Sequence, residues 1–235
     1  DHVVCSWNPH CGQCFYCEQD LPILCEPLTR YQPKGLLLDG RSRLSRRGSP
    51  VHHFSVVSSH AQYTVVPESG AIAVPNEIPF DRACLIGCGV MTGVGAATRK
   101  VPVQPGASVL VIGCGAVGLN AIQGARLAGA GLIVAADVSD DKLDRAKSFG
   151  AHTRVDAAAP DVLQHLRGMT QGRGPDYVFE AAGNEKGFRL AMEAVRPGGF
   201  VVFLGKVNVN QEVSFRWGSL MGEKRIVRSS YGGGH

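Results

Sequence analysis

The chain has 235 residues, enough to bury a substantial core and to form more than one domain. Lys and Arg number 24 against 20 Asp and Glu, a net charge of +4 that is too small to imply a nucleic-acid partner, and none is expected. No apolar run reaches the ~20 residues of a membrane span and no signal-peptide pattern opens the chain, so no membrane partner is expected.

The first informative element is Cys11, Cys14, Cys17 and Cys25, spaced C-x2-C-x2-C-x7-C. Four thiolates this close can converge on one tetrahedral ion with no open position, the arrangement of structural zinc. A ferredoxin run starts the same way, but its next cysteine follows after three residues and is itself followed by proline. Here seven residues intervene and Glu26 follows Cys25. A disulfide framework needs a secreted chain. Eight cysteines, half of them in metal spacing, fit a reducing cytoplasm instead.

Through residue 89 Pro, Gly and Ser recur, helical periodicity is nearly absent, and short β runs such as Gln62–Val66 stand between turns. An irregular β domain carrying the zinc lobe is expected, with its boundary near Gly89–Gly95. The basic run Arg41, Arg43, Arg46, Arg47 reads as a solvated loop, or as a site for an anionic substrate tail or cofactor phosphate. His52 and His53, if on a strand, point to opposite faces, so both cannot serve one site and a structural role is expected. Cys5 is expected in the core.

From Ala107 short apolar runs alternate with amphipathic stretches. Ser108–Ile112 is a buried strand that leads into Gly113-Cys114-Gly115-Ala116-Val117-Gly118, a G-x-G-x-x-G, and then a helix through Ala128. Leu132–Ala136 is the next strand and ends on Asp137, nineteen residues past Gly118. In that setting the fingerprint is strong evidence for a dinucleotide site. Gly113 permits the tight turn, Gly115 close approach of a diphosphate, and Gly118 helix–strand packing. Asp137 accepts hydrogen bonds from the adenosine ribose and repels a 2′-phosphate, which favours NAD; the alternative role is a cap for the helix starting at Ser139. Cys114 fills an unconstrained position of the fingerprint.

Helices are expected at 139–149, 160–169 and 185–195, and strands at 153–155, 177–180, 200–204 and 224–229. Six strands joined by helices or long crossings make an α/β doubly wound parallel sheet of the Rossmann type.

The order of zinc lobe, irregular β segment and nucleotide domain resembles the zinc-dependent medium-chain alcohol dehydrogenases. The resemblance rests on His10-Cys11-Gly12-Gln13-Cys14, Val51-His52-His53-Phe54, Gln62–Val66, Cys84-Leu85-Ile86-Gly87-Cys88-Gly89, the glycine fingerprint and Asp137-x-x-x-x-Lys142. It implies a partial GroES-like catalytic domain with the zinc lobe over 1–89, an NAD-binding domain over 90–230, and the start of a return to the catalytic domain over 231–235.

The family holds a catalytic zinc through two cysteines and one histidine. The resemblance makes Cys88 one of those ligands, Thr92 a neighbour of the nicotinamide, Lys142 a cofactor residue and Phe54 a lining of the substrate channel, with a core aromatic as its alternative. Cys84 is expected to be a buried small residue on the face of Cys88. The family's other ligands and its proton relay would lie before Asp1, so a fragment cut at both ends, which by itself turns over no alcohol, is expected.

The activity implied is hydride transfer from a primary or secondary alcohol to NAD, with zinc as Lewis acid. A formaldehyde-oxidising member acting on an S-hydroxymethyl thiol, whose carboxylates the 41–47 run would meet, is the alternative within the family. A non-catalytic NAD-binding protein is the alternative outside it. A homodimer or homotetramer, paired through the last strand, is the implied assembly.

Overall fold

The computed structural model describes residues 1–234; His235, the end of the 231–235 segment, lies outside the described residues. The chain divides into two compact units, Asp1–Cys88 with Gly234, and Gly89–Gly233.

In the first unit, regular structure is sparse. β1 (Val3–Cys5) pairs antiparallel with β4 (Ala71–Ala73). Two short helices, α1 (Phe15–Glu18) and α2 (Glu26–Tyr31), flank the cysteine segment. β2 (Leu44–Arg46) and β3 (Ser49–Val51) form a hairpin. Its two-residue loop, Arg47-Gly48, has φ of 50° and 80°, the positive values that type I′ turns need to match the strand twist. α3 (Phe80–Leu85) precedes a π-turn at Ile86–Val90. The apolar centre is small: Cys25, Leu28, Leu37 and Val56 are buried, with Cys11, Cys14, Cys17 and Leu38 against them.

Gln62–Val66 is not a strand. No neighbouring segment pairs with it, and Tyr63 is almost wholly exposed. His52 and His53 follow β3 in irregular chain, yet they do part company as expected: His52 is exposed and His53 buried.

The second unit opens with α4 (Met91–Gly95), followed by strand β5 (Ser108–Ile112), helix α5 (Ala116–Leu127) and strand β6 (Leu132–Asp137). Helix α6 (Asp140–Ser148), β7 (Thr153–Asp156), α7 (Val162–Met169) and β8 (Tyr177–Glu180) continue the alternation. It ends with α8 (Glu185–Ala194), β9 (Phe200–Phe203) and β10 (Arg225–Arg228). The six strands form one parallel sheet in the order β10-β9-β8-β5-β6-β7.

Alternate residues of each strand feed the two faces. Val109, Val111, Ile133, Ala135 and Phe179 pack with Ala121, Ile122 and Ala125 of α5 and Leu143 of α6. Leu110, Ile112, Val134, Val178 and Val201 pack with Leu166 of α7 and Ala191 and Met192 of α8. Both faces are covered, which is why the central strands β5, β6, β8 and β9 read as nearly continuous apolar runs rather than alternating ones. The order reverses between β5 and β8, and the crevice outside the carboxyl ends of those strands is where doubly wound sheets bind ligands.

Candidate functional sites

The four lobe cysteines converge. Their sulfur atoms all lie within 4.8 Å of one another. Cys14 Sγ is 3.5 Å from Cys17 Sγ, which in turn is 4.0 Å from Cys11 Sγ. Zinc–sulfur bonds of about 2.3 Å at tetrahedral angles place sulfurs about 3.8 Å apart, so the donor set fits zinc. Backbone N–H groups already point at two of the sulfurs, Cys11 at Cys25 Sγ (3.3 Å) and Glu26 at Cys14 Sγ (3.4 Å). The Glu26 N–H is the main cause that lowers the Cys14 thiol to about 7, while burial pushes Cys25 up to about 12 and also raises Cys17. Metal binding must therefore displace protons, above all from Cys25.

At the switch point of the sheet lies a cavity of about 640 Å³. Its floor is the fingerprint. Gly113 has φ 88°, and a Cβ there would lie 2.5 Å from Ala182 N. A Cβ on Gly118 would meet Gly113 O at 1.8 Å, so only glycine lets α5 sit this close to its own turn. Gly115 is exposed, with nothing within 4 Å of its Cβ position, and stands as N-cap of α5 without a side-chain cap. The free N–H groups and dipole of α5 are thus open to an anion.

Asp137 ends β6 on the opposite wall and is 7% exposed. Its Oδ2 accepts from Cys114 N (2.7 Å); its Oδ1 accepts from Val138 N (2.8 Å) and Ser139 N (3.0 Å). Lys142 Nζ stands 3.9 Å from Oδ1 and also lines the cavity. Asp137 organises the turn into α6 rather than capping it, since Ser139 is the N-cap. Three of roughly four lone-pair positions are used. Cys114, read as unconstrained, is buried and supplies one of these N–H groups; burial lifts its thiol to about 12.

Cys88 is exposed on the π-turn at the end of the first unit, and Thr92 is half-buried in α4 of the second. Among the described residues the lobe is the sole group of three or more clustered metal-ligating side chains, so Cys88 contributes one candidate ligand. Three expectations from the sequence do not hold. Cys84 is exposed, because Ala83 is the residue α3 turns inward. Phe54 is 79% exposed and not a core aromatic. Cys5 is only partly buried on β1. Within the basic run Arg43 pairs with Asp39, and its N–H donates to His53 Nε2 at 3.1 Å.

Glu180, at the end of β8, was not singled out from the sequence. Its side chain is completely buried beneath the loop that forms the third wall of the cavity. The available signal was a carboxylate closing an apolar strand at the end of the sheet where the fingerprint lies.

A family model described as zinc-binding dehydrogenase matches residues 116–235. The chain belongs to the zinc-binding dehydrogenase family. It is 40% identical over 236 residues to the class-3 alcohol dehydrogenase of Myxine glutinosa, covering 99% of this chain and 62% of that protein. It is 37% identical to the S-(hydroxymethyl)glutathione dehydrogenase of Saccharomyces cerevisiae, with the same 99% and 62% coverage. The fold superposes with a TM-score of 0.91 on an alcohol dehydrogenase zinc-binding domain protein from Burkholderia ambifaria, 32% identical, covering 99% of this chain and 63% of that one. This zinc-binding dehydrogenase chain thus spans about 62% of the length of the curated relatives it matches.

Proposed function

We propose that the intact protein is an NAD-dependent, zinc-dependent dehydrogenase that moves hydride from a primary or secondary alcohol to NAD. The observation that carries the reading is the cavity at the switch point, with Gly113, Gly115 and Gly118 beneath α5 and Asp137 with Lys142 facing them. The open N-terminus of α5 receives the diphosphate, and the remaining acceptor position of Asp137 receives an adenosine ribose hydroxyl. Thr92 stands beside the nicotinamide, Cys88 is one ligand of a catalytic zinc, and Phe54 lines the approach of the substrate. Zinc supplies Lewis acidity toward the alcohol when bound. Cys11, Cys14, Cys17 and Cys25 hold a second, structural zinc.

The domain limits proposed are 1–89 for the catalytic part, 90–230 for NAD and 231–235 for the return, close to the two compact units. β10 pairs with β9 on one side only and lies at the edge of the sheet with Ile226 exposed, so its outer edge suits a second copy and a homodimer or homotetramer is proposed. Sedimentation of the intact protein checks this. A cytoplasmic setting rests on cysteine usage, with four thiols converging for metal and Cys84 an exposed free thiol.

Cofactor choice is tested at Asp137. Alanine there would leave three backbone N–H groups unpaired, whereas asparagine keeps an oxygen for Val138 and Ser139 and gives up only the bond from Cys114 N, so it is the milder change. Asp137→Asn should weaken NAD about tenfold and improve NADP relative to it, by removing the charge that meets a 2′-phosphate. A wild-type protein that binds NADP as tightly as NAD would refute the assignment.

A second reading is favoured by the relatives named S-(hydroxymethyl)glutathione dehydrogenase and by the hairpin that presents Arg46 and Arg47 near Arg41 in sequence. Those cations suit the carboxylates of a thiol adduct. NADH formation by the intact protein, from simple alcohols against formaldehyde plus glutathione, separates the two. Activity with neither would leave a non-catalytic NAD-binding protein.

A further inference from the structure

A fully buried carboxylate is costly unless its charge is used, and Glu180 is fully buried at the end of β8. Its Oε1 accepts from the backbone N–H groups of Gly183 (2.8 Å) and Ala182 (2.9 Å). Oε2 has no hydrogen-bond partner, since the nearby Gly205 N–H is directed to the Glu180 main-chain oxygen at 2.9 Å. Two glycines make room for the group. A Cβ on Gly187 would lie 2.7 Å from Oε1, and one on Gly205 would lie 2.6 Å from Oε2.

Gly187 belongs to the first turn of α8, whose N–H groups and dipole favour a negative charge there. On the other side of this loop, Ala181, Ala182, Asn184 and Gly187 line the cavity. The carboxylate therefore braces from behind a wall whose front faces the proposed cofactor.

We propose that Glu180 is a positioning residue for dinucleotide binding: its ionised carboxylate holds the Ala181–Asn184 loop in the shape that the cofactor meets, and gain of a proton slackens that loop. The proposal rests on the dinucleotide reading of the cavity. Burial lifts the Glu180 carboxyl to about 7, with the Gly183 and Ala182 N–H groups, the Arg228 charge and the nearby Gly205 N–H pulling the other way. The charged groups on the elements packed around it are Arg225 and Arg228 on β10, Glu185, Lys186, Arg189 and Glu193 on α8, and Lys206 after β9; of these Arg228 acts on the carboxyl. Among the described residues no histidine lines the cavity.

The signs separate two effects. Above about 7 the two N–H···O bonds are charge-assisted; below it they join a neutral acid and are about half as strong. Cofactor affinity therefore falls as pH drops through 7. The fold responds oppositely. A carboxyl whose folded value lies above its ordinary 4.5 takes up its proton first in the folded state, so its contribution to stability grows as pH falls from about 7 toward 4.5. A brace with no bearing on the cofactor would leave affinity untouched across this range.

The test is calorimetric titration of the intact protein with NAD between about pH 6 and about pH 8, together with amide hydrogen exchange at Ala182 and Gly183. The wild type should lose about five- to tenfold in affinity toward acid, with a midpoint near 7. Glu180→Gln should bind weakly with a flat profile and exchange those two amides faster. A flat wild-type profile, or a profile that Glu180→Gln leaves unchanged, overturns the proposal. If the wild type binds no NAD at any pH, the cofactor reading fails. In that case unaltered exchange at the two amides in Glu180→Gln would also dismiss the brace. Should Glu180→Gln not fold, the wild-type affinity profile decides.

Discussion

Replacing Cys88 by serine in the intact protein is expected to abolish alcohol turnover, by about a thousandfold or more, and to remove one zinc of two. A Lewis acid stabilises the developing charge by several kcal/mol, which is a factor of that order in rate. Three ligands in fixed geometry are needed to hold a catalytic zinc while leaving a fourth position open, and a serine hydroxyl is a poor substitute for a thiolate. Cys88 stands on the π-turn Ile86–Val90, and Gly87 beside it lies against β1, where a Cβ would come within 2.8 Å of Cys5 O. The start of the turn is therefore held against β1 independently of metal, and the nucleotide unit has its own core. NAD affinity and thermal stability should change little. Metal content by elemental analysis and NADH formation check the prediction. An active Cys88→Ser protein with normal zinc would remove Cys88 from the site, and Cys84, exposed four residues earlier, would be tested next.

The contrast between units explains what was legible in the sequence. β5 and β8 run over the expected residues, and β6 differs only by including Asp137, because strands covered on both faces are apolar up to their carboxyl ends. The fingerprint was legible because steric demands at Gly113 and Gly118 exclude other side chains. Gln62–Val66 has the composition of a strand but no partner in the first unit, and composition alone cannot supply one. Cys84 was misread because a four-residue spacing shows which residues share a helix face, not which way that face points. Glu180 was missed for a related reason. Its role lies in two backbone N–H groups and the space left by Gly187 and Gly205, and that juxtaposition exists only after β8, α8 and β9 have come together.

Replacing Cys14 by serine should have the opposite signature, with stability lost and the chemistry of the remaining folded molecules intact. The lobe has four buried apolar residues, Cys25, Leu28, Leu37 and Val56, far too few to offset the ordering of the segment around them. Structural zinc contributes about 10–16 kcal/mol of apparent binding energy that is available only to the folded arrangement. Serine at Cys14 removes one of four thiolates and also the sulfur that accepts the Glu26 N–H at the start of α2. Zinc bound by the remaining three should be released readily to a chelator, and the segment from Cys11 to Tyr31 should become the first site of proteolytic cleavage. The Gly89–Gly233 unit should stay resistant and keep its affinity for NAD, because its core shares no residue with the lobe. Limited proteolysis with zinc analysis separates the outcomes. A Cys14→Ser protein that retains its zinc and its resistance to cleavage would show that the four sulfurs are not a metal site. Iron in place of zinc would show that the spacing had been matched to the wrong ion.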